Sequence, residues 1–207
     1  MTHTKDDKIR GEILQEAQKL FQQYGVRKTT MEDIARSMGK GKSTLYYYFC
    51  SKDEIFDAVI RKEMSEVFEQ VKEAVAAAET AEAKLKAFFI TKIKGVQKRV
   101  NLSSVVREGI TDRIHCVKHL YQEYDKRERK LLKEILQFGL AEGSFSKDIR
   151  NEMEILPSVM VSSLKGLEWD VLTDSHYPKL GPRLESIISI LVRGLQRDEK
   201  IKTKIHG

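Results

Sequence analysis

Residues 29–52 read TTMEDIARSMGKGKSTLYYYFCSK, and the fold is decided there. Thr30, with Asp33 three residues on, has the form of a capping box with Asp where Glu is usual. Met31, Ile34, Ala35 and Met38 then recur at helical spacing. A two-turn helix should start at Thr30. Gly39 stands just past its last apolar residue, where a backbone of positive φ closes a helix, and Gly41 loosens the two residues after it. From Lys42 to Phe49, Leu45 and Phe49 lie four apart and share a buried face, while Ser43, Thr44 and Tyr47 project from the other side. Ser51 with Glu54 forms a second capping box, with Cys50 and Ile55 at the positions of a hydrophobic staple, so a new helix begins at Ser51. Helix, glycine turn, helix is the layout in which the second helix enters the major groove of DNA.

Upstream, Ile9, Ile13, Leu14, Ala17, Leu20 and Phe21 trace one helical stripe from Lys8 to Tyr24, closed by Gly25. Arg27 and Lys28 then set two cations beside the helix start at Thr30, where unpaired N–H groups favour a phosphate. Downstream the pattern is helical throughout. Phe56, Val59, Ile60, Met64, Val67, Phe68 and Val71 mark a long helix fading near residues 74–78. Leu85 to Val96 mark the next, Val106, Ile110 and Ile114 a shorter one, and Val117 to Phe138 another, closed near Gly143. Asn151–Glu154 reads as the cap of a helix through Leu156 and Val171, and Asp174–Pro182 as a loop. The last helix carries Leu184, Ile187, Ile188, Leu191, Val192 and Leu195. The expectation is an all-α chain of about nine helices. A three-helix helix-turn-helix domain (residues 1–50) precedes a helical bundle (residues 51–207).

The 207 residues are 41% hydrophobic and 33% charged, with three prolines and a net charge of +6. Ten Lys/Arg against six Asp/Glu fall in residues 1–52, so the excess positive charge concentrates at the helix-turn-helix, as a phosphate-binding end requires. Cys50 and Cys116 have no metal or redox spacing, MTHTKDDK lacks the apolar centre of a leader peptide, and no apolar run approaches the ~20 residues of a membrane span. A soluble, cytoplasmic protein is expected, with no membrane partner.

The stretch resembles the tetracycline-repressor (TetR) family of bacterial transcription regulators. The resemblance rests on Thr29-Thr30, Ile34-Ala35, Gly39, Thr44-Leu45-Tyr46-Tyr47-Tyr48-Phe49 and Ser51-Lys52-Asp53. Two positions depart from the family pattern, which favours a hydrophobic residue at position 40 and Ser at 41: here they are Lys40 and Gly41. The resemblance implies three N-terminal DNA-binding helices and a C-terminal bundle that binds a small molecule and dimerises through its last two long helices. It implies a homodimeric regulator, most simply a repressor released from a palindromic operator by a small-molecule effector, and not an enzyme. Carried over residue by residue, Lys42, Ser43 and Thr44 look like the base-reading start of the recognition helix. Thr30, Tyr46, Tyr47 and Lys52 look like backbone contacts, and Lys28, Thr29, Lys40 and Gly41 complete the DNA-facing set.

In the bundle, Phe68, Phe88, Phe89, Tyr121, Tyr124, Phe138, Met160 and Trp169 are candidate pocket lining, and Leu164, Leu167, Leu191 and Leu195 candidate dimer contacts. The competing reading of the pocket residues is a packed core, and the dimer contacts rest on the apolar faces of the last two helices. Gly41-Lys42-Ser43-Thr44 imitates the end of a P-loop, but position 36 is Arg and a helix precedes it. His115, Cys116 and His119 come near ligand spacing without a second cluster, so neither metal nor cofactor is expected. Glu108 and Asp112 lie four apart with no nucleophile or base beside them, and Lys200, Lys202 and Lys204 read as a solvated tail. Two other classes stay open: a small-molecule-binding bundle whose helix-turn-helix no longer reads DNA, and an enzyme built on an all-α bundle.

Overall fold

A computed structural model of the chain describes residues 5–99, 114–173 and 180–196, with the side chains of 114–118, 169, 171–173, 180 and 181 outside that description. Among the described residues there are eight α-helices: α1 (Lys5–Tyr24), α2 (Met31–Ser37), α3 (Lys42–Tyr48), α4 (Lys52–Ala77), α5 (Ala81–Lys98), α6 (Ile114–Glu142), α7 (Leu156–Thr173) and α8 (Leu180–Arg193). A 3-10 helix covers Lys147–Arg150, and one isolated antiparallel bridge joins Phe145 to Gln196. The all-α class is as expected. The short helix anticipated around Val106 and Ile110 lies outside the described residues, as do Glu108, Asp112 and the tail lysines.

The chain forms two compact units, one of Met1–Ser65 with Arg99–Leu120 and the other of Glu66–Lys98 with Tyr121–Gly207. The division falls inside α4, between Ser65 and Glu66, rather than at the start of that helix. In the first unit α1 buries Ile13, Ala17 and Phe21, and Phe21 meets Phe56 of α4 edge-on at 5.6 Å between ring centroids. The α2 residues Met31, Ile34 and Ala35 and the α3 residue Leu45 close the same core. Glu63, wholly buried on α4, accepts a 2.8 Å hydrogen bond from Gln18 Nε2 on α1, so a polar tie as well as apolar contact fixes α1 to α4.

In the second unit α5 packs on α7 and α8, burying Leu85, Phe88, Ile93 and Val96 with Val161, Leu164, Leu184, Ile188 and Val192. Two helix starts differ from the sequence expectation. Residues 151–155 turn instead of capping a helix, because Asn151 N–H goes back to the Asp148 carbonyl at 3.2 Å; α7 begins at Leu156, with Pro157 in its first turn, where no N–H is required. α8 begins at Leu180, so Gly181 and Pro182 belong to a helix start rather than to the loop. Near the end of α6 the Phe145 ring lies where a side chain at position 139 would go: a Cβ on Gly139 would fall 2.2 Å from Phe145 Cδ2. Gly139→Ala is expected to lower stability by about 1–3 kcal/mol through this overlap. Thermal unfolding checks it; an unchanged Tm would show that the ring moves aside freely.

Candidate nucleic-acid interface

The recognition turn is built as the local chemistry requires. Thr30 caps α2, its Oγ1 accepting from Asp33 N–H (3.1 Å) while Asp33 Oδ2 accepts from Thr30 N–H (3.0 Å) and from the Thr30 hydroxyl (2.7 Å). The Thr30 hydroxyl and backbone hold the Asp33 carboxyl below its ordinary range. Thr30→Ala removes the reciprocal cap and is expected to cost about 1 kcal/mol, lowering Tm by ~2–4 °C; circular-dichroism melting measures it. Gly39 takes φ +63°, its N–H reaching the Arg36 carbonyl at 3.0 Å, so a side chain there would be strained. Gly41 is the N-cap of α3 and supplies no side-chain hydrogen bond, as its departure from Ser implies.

That turn leaves α3 with a polar outer face. Leu45 and Phe49 are buried, as their spacing predicts, and the Arg10 guanidinium lies 4.4 Å from the Phe49 ring centre. Opposite them, Lys42, Ser43, Tyr46 and Tyr47 are exposed and Thr44 half-exposed; Tyr47, 76% accessible, is the most exposed large hydrophobic side chain among the described residues. Lys42 pairs with Glu32 of α2 and sits 5.5 Å from the Tyr46 ring centre. Glu32 holds the Lys42 ammonium above its ordinary value, and Lys42 holds the Glu32 carboxyl below its own. Sequence periodicity gives no sign of this pair, because its members sit on different helices. Tyr48 donates to Asp6 Oδ1 at 2.8 Å and packs edge-on against Tyr47, steadying the end of α3 from α1.

Four of the expected contacts have a different or second duty. Thr29 is 1% exposed and its hydroxyl donates to the Gly25 carbonyl at 2.9 Å, so its side chain shapes the turn before α2. Lys52 Nζ donates to the carbonyls of Thr29 (2.8 Å) and Arg27 (3.4 Å), tying the start of α4 to the same turn and leaving one of its three donors. Thr30 is exposed with its hydroxyl engaged in the cap. Lys40, half-exposed, closes the turn through its N–H to the Ala35 carbonyl at 3.0 Å. Lys28 and Gly41 are exposed. At the start of α4, Ser51 Oγ accepts from Glu54 N–H (3.2 Å), but Glu54 Oε2 accepts from Cys50 N–H (2.7 Å). Cys50 itself is exposed, whereas Ile55 is fully buried.

This head has the sequence of a known one. Residues 13–59 match the family described as bacterial regulatory proteins, tetR family. The match covers the head, which is similar to the N-terminal domain of TetR-family regulators. It is 28% identical over 145 residues to the HTH-type transcriptional repressor KstR2 of Rhodococcus jostii strain RHA1, covering 70% of this chain and 71% of that one. Its fold is shared with a TetR-family transcriptional regulator of Pectobacterium atrosepticum (TM-score 0.76, 16% identity, 95% of this chain and 98% of the other). It is also shared with the transcriptional regulator FadR of Bacillus subtilis in complex with stearoyl-CoA (TM-score 0.65, 19% identity, 90% and 99%). The family is one of DNA-binding transcription regulators rather than of enzymes.

In the second unit the expected pocket residues divide. Phe68, Phe88 and Tyr124 are buried, with Phe68 and Tyr124 edge-on at 6.1 Å, and Phe89, Tyr121 and Met160 are half-buried. Phe138 is 41% exposed, with Lys84 Nζ 5.4 Å from its ring centre. The Trp169 side chain lies outside the described residues, as do those of His115 and Cys116, while His119 is exposed beside Asp57 (3.7 Å) and Arg61 (3.3 Å). A surface groove of about 340 Å³, lined by Gln137, Leu140, Ala141, Arg150 and Met153, contains none of the expected pocket residues. Of the expected dimer contacts, Leu164 is 1% exposed and belongs to the core of its own bundle, Leu167 and Leu195 are half-buried, and Leu191 is 60% exposed. Beside Leu191 on α8, Ile190 is 65% exposed, and Val159 on α7 is 51% exposed; neither is among the dimer contacts expected from the sequence.

Buried charge was missed altogether. Lys92 of α5 donates to Glu128 Oε1 of α6 at 2.5 Å and stands 3.9 Å from Glu168 Oε1 of α7. A detectable signal existed, since Glu128 falls at helical spacing between the apolar Tyr124 and Leu132, and Glu168 one turn after Leu164. Burial pushes the Glu168 carboxyl up to about 7, against the pull of Lys92 and with the push of Glu128. Burial likewise pushes Tyr121 up to about 12, and the two carboxylates keep Lys92 charged against its own burial. Between about pH 4.5 and 7 the folded protein therefore holds on Glu168 a proton that the unfolded chain has released. Its contribution to stability is complete below the unfolded pKa and lost as pH rises through the folded one. Glu168→Gln, neutral at every pH, should lose roughly 2–3 kcal/mol less stability than the wild type between pH 4.5 and 8. Urea unfolding at the two pH values tests this; parallel losses in both proteins would contradict it.

Proposed function

We propose that the chain is a homodimeric repressor that reads a palindromic operator through α3 and is released by a small molecule bound in its C-terminal bundle. The observation that carries the reading is the face of α3. Lys42, Ser43, Thr44, Tyr46 and Tyr47 are presented outward from a helix whose opposite side, Leu45 and Phe49, is sunk in the core. Lysine can donate to guanine O6 and N7, threonine offers a methyl to thymine, and the tyrosine hydroxyls suit phosphate oxygens. Lys28, Lys40 and Lys52 supply cations around the same turn, whereas Thr29 acts through the backbone it orders.

Repression agrees with the role of the Rhodococcus jostii relative, a transcriptional repressor, and ligand control with the stearoyl-CoA held by FadR of Bacillus subtilis. The exposed Ile190 and Leu191 of α8 and Val159 of α7 support pairing of two copies through the last two helices. A two-fold dimer sets its recognition helices on half-sites about one DNA turn apart, ~34–36 Å or somewhat more. The effector must bind the DNA-incompetent arrangement more tightly, with α4 the element that joins bundle and head. Such a protein works in the cytoplasm, beside the DNA it reads. Gel shift with duplexes from the DNA flanking its gene tests the reading. Retarded complexes containing two chains, on a palindromic segment and surviving competitor DNA, are expected; retardation that falls with salt but ignores sequence would defeat it.

A further inference from the structure

The polar cluster inside the second unit has a charge and hydrogen-bond imbalance that packing alone does not explain. Three helices contribute: Lys92 from α5, Tyr121, Asp125 and Glu128 from α6, and Lys165 and Glu168 from α7. Glu128 is 3% and Glu168 6% exposed. Lys165 and Asp125 satisfy each other at 2.5 Å, and Lys92 gives its short hydrogen bond to Glu128. Glu168 Oε1 is left sealed from water and, among the described residues, accepts no hydrogen bond. Beyond the Lys165–Asp125 pair, two carboxyl groups face the one ammonium of Lys92, and one carboxyl oxygen has a vacant acceptor position. Ordinary apolar packing would not retain such a group, because a buried acceptor without a donor costs free energy with nothing gained. Its neighbours one turn away along each helix, Phe88 and Val96, Tyr124 and Leu132, and Leu164, are apolar and buried.

We infer that this cluster is the polar end of the effector site and takes the protonated amine of a ligand whose remaining body is apolar. An ammonium supplies the donor that Glu168 Oε1 lacks and balances the second carboxylate. A carboxylic acid or phosphate would add a further negative group beside Asp125, Glu128 and Glu168, with the ammoniums of Lys92 and Lys165 already engaged. The inference rests on the reading of the bundle as the effector domain, and adds to it the charge of the ligand. The proton held by Glu168 in the empty site leaves when the ammonium arrives, so binding strengthens as pH rises through neutrality.

Calorimetric titration of the purified full chain with octylamine, octan-1-ol and octanoate, without DNA, tests the assignment. Saturable octylamine binding, about tenfold or more tighter than octanoate, is expected, which corresponds to at least ~1.4 kcal/mol. Glu168→Gln should remove most of that preference, and Glu128→Gln, which lowers the site charge equally while leaving Glu168, should reduce it. Circular dichroism confirms that each variant is folded, and should both fail to fold, the wild-type preference alone decides. Octanoate binding as tightly as octylamine, a preference unchanged in both folded variants, or no saturable binding of any of the three would overturn the assignment. Octylamine binding that leaves an operator complex intact would count instead against the ligand-released repressor, with the amine site standing.

Discussion

Tyr47→Ala and Lys42→Ala should each weaken operator binding by about tenfold or more while leaving the fold unchanged, and they should differ in kind. Tyr47 is 76% exposed and its closest ring neighbour is Tyr48 at 4.9 Å, so little of the core depends on it. If its hydroxyl meets a DNA phosphate as proposed, its loss should lower affinity by a similar factor on every sequence. Lys42 stands at the first turn of α3, paired with Glu32 and next to Tyr46. If it reads a guanine edge, its loss should relax preference at one base pair of each half-site as well as reduce affinity. Fluorescence anisotropy on the operator and on single-base variants, with Tm measured alongside, separates the two. A fall in Tm parallel to the fall in affinity would mean that the residues support the head rather than touch DNA.

Phe49→Ala should unfold the same head from inside. The ring is fully buried at the junction of α3 and α4, with Arg10 of α1 stacked on it at 4.4 Å. Truncation of a buried phenylalanine costs roughly 3–5 kcal/mol, a large part of a small unit's total stability. Loss of DNA binding together with a fall in Tm of more than ~6 °C is expected. Full operator affinity in Phe49→Ala would show that α3 is held in place by its turn alone. Tyr48 belongs to neither group: its hydroxyl reaches Asp6, and its part is to fix α3 to α1.

Much of this head was legible in residue order because its determinants are local. The Thr30–Asp33 cap, the positive φ of Gly39 and Gly25, and the burial of Leu45 and Phe49 each depend on residues within a turn or two, and all are present. What was not legible depends on meetings between helices. Glu32 with Lys42, Arg10 with Phe49, and Lys52 with the carbonyls of Thr29 and Arg27 join residues that no period relates. The duty of the Thr29 hydroxyl in the turn is likewise invisible in residue order, since a polar residue in a basic stretch looks the same whether it faces solvent or its own backbone. In the bundle, the apolar stripe does not say which of two neighbours faces in. Leu164 is core and Ile190 is surface, although both belong to similar apolar runs. Charged residues at core register, Glu128 and Glu168, were a readable sign of the polar cluster.

The claim on which everything else depends is that the face of α3 reads a DNA sequence. Selection of bound duplexes from a random library, followed by affinity measurement of the enriched sequence against an unrelated duplex at fixed salt, tests it most directly. An inverted repeat with half-site centres about one turn apart, bound at least ~10³-fold more tightly than the unrelated duplex, is the predicted result. Enrichment of no sequence, with affinity set by salt alone, would contradict it.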